Sequence, residues 1–333
     1  MLHLAIIGCG KIAEAHVKAF GHVAGARITV AVDIDGERAG RFAAEHGISR
    51  HLTDYADVMS DAGIDAIVLC VPPYLNRRIV TEAARARKHV LCEKPIALTL
   101  DDADAMLAAC ADAGVKLEIG FVRRFDAEWL KFRELVRGGA IGRPVTWRFA
   151  YGSSGPKVSW DLERGKGGGV IVQWGVHHFD FARFVFGPVA SVKSSCRTLK
   201  DWASVSDTGT AIIEYQSGDQ ALVSFTWGLP EGSHTGRLND AIGPGGAILW
   251  QESIQTESLP RNLDLVENGL FLIDRGERGK EVVTYRRNDM FYEQARHFVR
   301  AVTAGEALTV SGVDGREALA TALQVLSNGG MAL

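Results

Sequence analysis

Three groups of residues in this 333-residue chain have types and spacings that could do chemistry. The first is Gly8-Cys9-Gly10-Lys11-Ile12-Ala13, a G-x-G-x-x-A turn that follows the apolar run Leu4–Ile7 and opens a helical pattern. Gly8 permits the tight turn, Gly10 lets the backbone approach a pyrophosphate, and Ala13 allows close helix–strand packing. The helix N-terminus then faces phosphate charge. Asp33 ends the next apolar run, about 20–25 residues on, where a carboxylate accepts hydrogen bonds from ribose hydroxyls. Its other reading is a helix N-cap. A carboxylate there repels a 2′-phosphate and Ile34 brings no cation, so NAD is expected over NADP. Arg38 is the nearby cation that could reverse this preference.

The second group is Glu93-Lys94-Pro95, directly after the apolar run Val90-Leu91-Cys92. A lysine just past the carboxyl end of a parallel strand points into the crevice where such sheets bind ligands. Standing alone, it could equally be an exposed turn lysine. The third is a helical stretch, Gly169–Phe186, that begins at the last of three glycines, Gly167-Gly168-Gly169. Gln173 and His177 are spaced i,i+4 and Asp180 follows three residues later, so all share one face. A neutral imidazole can take a proton from an alcohol as a hydride leaves. Without further context, His177 could instead be a satisfied core histidine. His178 points about 100° away and reads as structural. Adjacent helical residues diverge, so no metal site is expected from this pair.

Elements that position these groups can be read from periodicity. Leu4–Ile7, Ile28–Val32, Ala66–Val71, Val90–Cys92 and Leu117–Ile119 are short runs read as apolar throughout, separated by helical stretches such as Glu37–Glu45, Leu75–Ala86 and Asp101–Cys110. This pattern predicts an α/β domain with a doubly wound parallel sheet covered on both faces. After about residue 145 the period becomes 2, with Ala221, Val223, Phe225 and Trp227 on one face. Ser217-Gly218-Asp219 joins that run to Gly209–Tyr215 as a hairpin. Further strands are expected near Ala247–Trp250, Leu263–Val266, Leu270–Ile273 and Val282–Tyr285, making an open, mainly antiparallel sheet. Helices are expected at Met290–Ala304 and Asp314–Ser327. The division is therefore residues 1–122 for the dinucleotide domain and 123–288 for an α+β substrate and oligomerisation domain. Residues 289–333 are expected to pack back near the junction of the two.

Composition bounds the rest. A 47% hydrophobic, 23% charged chain with net charge −3 has no positive field to attract nucleic acid or anionic lipid. Five scattered cysteines with no CxxC pair argue against a disulfide framework or a zinc ribbon. No apolar run approaches a membrane span and no leader pattern opens the chain, so a soluble, cytoplasmic protein is expected.

These motifs fall in the order found in the glucose–fructose oxidoreductase/inositol dehydrogenase family, Gfo/Idh/MocA, which the chain resembles over nearly its whole length. The matching stretches are Gly8–Ala13, Cys70-Val71-Pro72-Pro73, Glu93-Lys94-Pro95, Phe121 to Asp126, Ser159-Trp160-Asp161, Gly167 through His177 to Asp180, Ser311-Gly312 and Gly315-Arg316. The resemblance implies a Rossmann domain followed by an open sheet that often builds homodimers or homotetramers. It also implies NAD(P)-linked oxidation or reduction of a sugar or polyol carbon. By the same resemblance, Lys94 is the catalytic lysine and His177 the proton-transferring histidine. Gln173 stands where the family commonly has an aspartate, and Asn76 stands near a common histidine position. Candidate cofactor contacts are Gly8, Gly10, Lys11, Ile12, Asp33, Val71, Pro72, Asn76, Glu93 and Lys94. Candidate substrate contacts are Arg124, Tyr151, Trp160, Asp161 and Trp174. For Arg124 the other reading is an interface salt bridge, and for Trp160 a core tryptophan. Relatives of this fold that retain NAD while cleaving glycosides, and non-catalytic dinucleotide sensors, are the competing functional classes.

Overall fold

The computed structural model describes residues 1–156, 159–254 and 265–331. It divides into two units, Met1–Phe125 with Asp289–Leu319, and Asp126–Asn288 with Ala320 onward.

In the first unit, β1 (Leu2–Ile7), β2 (Ala26–Val32), β3 (Arg50–Leu52), β4 (Ala66–Leu69), β5 (His89–Cys92) and β6 (Leu117–Ile119) form one parallel sheet in the order β3-β2-β1-β4-β5-β6. Helices α1 (Lys11–Gly21), α2 (Gly36–His46), α3 (Ala56–Ser60), α4 (Asn76–Arg85) and α5 (Leu100–Ala113) connect them. The order reverses between β1 and β4, the switch point at which such sheets bind ligands. Leu4, Ile6, Ala66, Val68 and Leu91 join Ala13, Phe20 and Phe42 in one core cluster. Burial on both faces explains why these strands read as unbroken apolar runs.

The edge strand β3, with two exposed residues, departs from that rule, and so does β6. Glu118, the middle residue of β6, is wholly buried. Burial pushes its carboxyl well up, against a smaller downward pull from the Gln294 amide. Gln294 lies on α8 (Met290–Thr303), whose Ala295, Phe298 and Val299 complete the core cluster of the first unit. The last helix, α9 (Gly312–Asn328), is shared, with Gly312–Leu319 in the first unit and the remainder in the second.

In the second unit, α6 (Ala127–Arg137) and α7 (Val176–Phe186) accompany eight strands. These are β7 (Thr146–Gly152), β8 (Val189–Arg197), β9 (Thr208–Tyr215), β10 (Gln220–Thr226), β11 (Leu238–Gly243), β12 (Gly246–Trp250), β13 (Asn268–Asp274) and β14 (Lys280–Arg286). Their order is β14-β13-β12-β11-β7-β10-β9-β8, antiparallel except for the central β7–β10 pair. The hairpin around Gly218 is present, with Ala221, Val223 and Phe225 buried on one face. Trp227 falls just past the end of β10 and is half-buried. Of the strand expected at Leu263–Val266, Leu263 and Asp264 lie outside the described residues, while Val266 sits in a turn before β13. No helix among the described residues is long and apolar enough to cross a membrane.

The raised Glu118 carboxyl makes stability depend on pH. An unfolded glutamate ionises near pH 4.3, whereas the buried one resists, so this site opposes folding increasingly as pH rises above that value. Glu118→Gln should raise the thermal midpoint more at pH 8 than at pH 4.5. Equal gains at both pH values in thermal melts would contradict the assignment.

Candidate active site

In the first unit the candidate cofactor residues gather at the carboxyl ends of the strands. Gly8 follows β1 with φ +92°, and a side chain there would drive a Cβ to 2.3 Å from the Cys70 carbonyl oxygen at the end of β4. Only glycine fits this close approach. Gly10 is the N-cap of α1, carries no side-chain cap, and has no heavy atom within 4 Å of where a Cβ would stand. The first N–H groups of α1 therefore face a space suited to a pyrophosphate.

Asp33 follows β2 with its carboxylate almost enclosed, at 8% exposure. Oδ2 accepts from the Cys9 backbone N–H at 2.9 Å and from Arg38 Nε at 2.9 Å. Oδ1 accepts from the Asp35 backbone N–H at 3.0 Å and from an Arg38 terminal nitrogen at 2.7 Å. Burial raises the Asp33 carboxyl, but the Arg38 hydrogen bonds and then the two backbone donors outweigh it and hold it below the ordinary aspartate value. The helix-cap reading belongs to another residue, since Asp35 caps α2 by accepting from the Arg38 backbone N–H. Burial, helped by the Asp33 charge, pushes the Cys9 thiol up to about 12, so it is inert at neutral pH.

At the end of β5, the Glu93 carboxylate is clamped between His16 Nε2 at 2.7 Å and the Lys94 backbone N–H at 3.2 Å. Gly120 backs it so closely that a Cβ would lie 2.8 Å from that carboxylate. Sequence reasoning missed His16. Its one signal was position, a histidine on the inner face of the helix that opens at the glycine turn. Asn76, at the start of α4, donates from Nδ2 to the carbonyls of Pro95 at 3.1 Å and Ile96 at 3.2 Å. It thereby anchors the segment that carries Lys94. Arg124 is 5% exposed and donates to the Thr309 carbonyl at 3.0 Å and the Asp314 carboxylate at 2.9 Å. Its guanidinium is engaged in holding the entry to α9.

In the second unit, the glycine turn organises the site. Gly169, with φ +76°, would press a Cβ to 2.3 Å from the Ser206 carbonyl oxygen, so no other residue can start the helix there. The helix runs on from Gly169 through a π-turn at Ile171–Gly175 into α7. Gln173, 6% exposed, lies within that turn and donates from Nε2 to the Gly167 carbonyl at 2.9 Å. Gly167 in turn lies against the backbone of Trp160 and Asp161. The structure thus brings Trp160, Asp161 and Gln173 into one cluster, with His177, half-buried, one turn further along. π-turns of this kind recur at functional sites. His178 is fully buried among Phe149 (4.1 Å between ring centroids), Phe225 (4.8 Å) and Trp147, as its structural reading required. Tyr151 meets Trp174 edge-on at 4.9 Å, and Arg237 lies 5.9 Å over the Tyr151 ring. No group of three or more histidine, cysteine or acidic residues among the described residues could hold a metal.

Residues 2–121 match the oxidoreductase family with an NAD-binding Rossmann fold, and residues 129–243 match the GFO/IDH/MocA C-terminal domain. The chain is 33% identical to the uncharacterized oxidoreductase YrbE of Bacillus subtilis, over 66% of this chain and 65% of that protein. It is 28% identical to the myo-inositol 2-dehydrogenase of Thermotoga maritima, over 96% of this chain and 93% of that enzyme. In three dimensions it resembles the aldose–aldose oxidoreductase of Caulobacter crescentus, with a TM-score of 0.82, 26% identity, and coverage of 99% of this chain and 97% of the other. The chain belongs to the Gfo/Idh/MocA family of oxidoreductases, and its first unit is that family's NAD-binding Rossmann fold.

Proposed function

We propose that this protein transfers a hydride between NAD(H) and a CH–OH or C=O carbon of a small sugar, polyol or inositol. One observation carries the reading: the Gly8 turn, the Asp33 carboxylate and Lys94 converge at the carboxyl ends of β1, β2 and β5 of one sheet. Relatives named as inositol 2-dehydrogenases at 28% and 29% identity, each aligned over 96% of this chain, support the substrate class.

The cofactor side comprises Gly8, Gly10, Lys11, Ile12 and Asp33, with Val71, Pro72, Glu93 and Lys94 at the ends of β4 and β5. Asn76 contributes by holding the Pro95–Ile96 backbone. Bound NAD supplies the two-electron acceptor. Oxidation of a carbinol removes a hydride from carbon and a proton from oxygen, and His177 accepts that proton, because an imidazole changes charge near neutral pH. The Lys94 ammonium donates a hydrogen bond to the substrate oxygen and fixes the reacting carbon. Tyr151, Trp160 and Trp174 offer apolar ring faces for sugar C–H surfaces, and Asp161 a carboxylate for hydroxyls. The five free cysteines, four of them buried, support action in the reducing cytoplasm. Half-exposed Ile212 and Ile242 on the outer face of the second sheet support a homodimer or homotetramer. A monomer by light scattering at micromolar concentration would reject that assembly.

Absorbance of reduced nicotinamide, followed over a panel of inositols, aldoses, ketoses and sugar acids, tests the activity directly. On the best substrate, Lys94→Ala should lose about 10²–10⁴-fold in turnover and keep NAD affinity within a few-fold. Full turnover in the variant would remove Lys94 from the chemistry.

Gln173→Asp should act in two ways. It leaves the buried Gly167 carbonyl without its donor, at a cost of about 1–3 kcal/mol in urea unfolding. It also sets a negative charge one turn before His177, which favours the imidazolium and moves the acid limb of the oxidation rate to higher pH. An unmoved acid limb would leave Gln173 with the structural role alone.

A further inference from the structure

Asp33 presents a difficulty for NAD binding that its position in the fold does not reveal. A carboxylate has about four lone-pair sites. Here Cys9 N–H, Asp35 N–H and the two guanidinium nitrogens of Arg38 occupy them. The two backbone donors belong to the ends of β1 and β2 and are fixed by the fold. The Arg38 side chain is 46% exposed and sits on a long flexible stem, so it is the partner that can leave. A ribose diol that hydrogen-bonds Asp33 must take the place of Arg38.

The displaced guanidinium stays nearby. Its backbone sits in the first turn of α2, held by the Asp35 cap at 3.1 Å. The charges around it are Asp33, the half-exposed Asp35 at 3.9 Å, and the exposed pair of Glu37 and Arg41 one turn along. Ile34, between the two aspartates, is 91% exposed and offers no competing polar group. A planar fork of donors in this position matches a phosphate as well as it matches a carboxylate.

We propose that Arg38 is a specificity-determining residue: it caps Asp33 in the free protein, yields to the ribose hydroxyls of NAD, and turns to accept the 2′-phosphate of NADP. The discrimination set by Asp33 is thereby softened in both directions. NAD binds more weakly than the carboxylate alone would allow, because the ion pair must first open. NADP binds more tightly than it otherwise would, because a cation is at hand for the phosphate. The proposal rests on NAD binding by the first unit, and its test reads nucleotide affinity without any substrate.

The experiment is titration calorimetry of the full chain with NAD and with NADP, for the native protein, Arg38→Ala and Arg38→Lys. Thermal melts without nucleotide check that each variant folds. Arg38→Ala should bind NAD several-fold more tightly than the native chain. It should bind NADP at least ten-fold more weakly, widening the ratio of the two dissociation constants by ten-fold or more. Arg38→Lys keeps the charge without the fork and should fall between. An Arg38→Ala ratio that is unchanged or narrower would overturn the role of Arg38 while leaving NAD binding intact. A native chain that binds neither nucleotide would overturn both. Loss of NAD affinity in Arg38→Ala with an unchanged melt would show that Arg38 holds NAD rather than yielding to it, and would also overturn the proposal.

Discussion

The dinucleotide end of this protein depends on how one nearly enclosed charge is satisfied. A carboxylate withdrawn from water is costly unless it is hydrogen-bonded, and Asp33 meets that requirement by collecting donors from three pieces of chain. The Cys9 N–H comes from the glycine turn after β1, the Asp35 N–H from the cap of α2, and the guanidinium from the first turn of α2. Satisfying the charge therefore fixes the turn, the strand end and the helix start relative to one another. Gly8 completes the constraint from the other side, since its contact with the Cys70 carbonyl leaves no room for a side chain.

The same economy recurs in the second unit. The Gly167–Gly169 turn folds so tightly over Trp160 and Asp161 that its carbonyls need partners, and Gln173 supplies one from within the π-turn. A charged aspartate at this position could not donate that bond. The amide therefore ties the helix bearing His177 to the turn that begins it, and this explains how the departure from the common family residue is compatible with the fold.

Much of this was legible in the sequence. Strands β1, β2, β4 and β5 are buried on both faces, so their composition alone marks them, and Gly8, Asp33 and Lys94 follow from where those strands end. The start of the histidine helix at Gly169 was legible for the same reason, since three glycines leave few other places for a helix to begin. What was not legible involved partners distant in the chain. The edge strand β3 has only three residues, two of them exposed, and carries no period. The parallel pairing of β7 with β10 joins residues about seventy positions apart and leaves no local trace. Glu118 reads as an interruption of an apolar run until Gln294 is seen beside it. His16 carried only its position as a signal, because its partner, Glu93, lies on another strand end.

Net hydride transfer to NAD at a carbinol carbon is what the proposed function requires of this site. Its most direct test is stoichiometry under single-turnover conditions, with enzyme and NAD in excess over a polyol selected by the panel. One equivalent of reduced nicotinamide is expected for each equivalent of ketone formed. A substrate consumed with no net reduced nicotinamide would contradict it, and would instead place the chain among enzymes that retain NAD and return the hydride within each cycle.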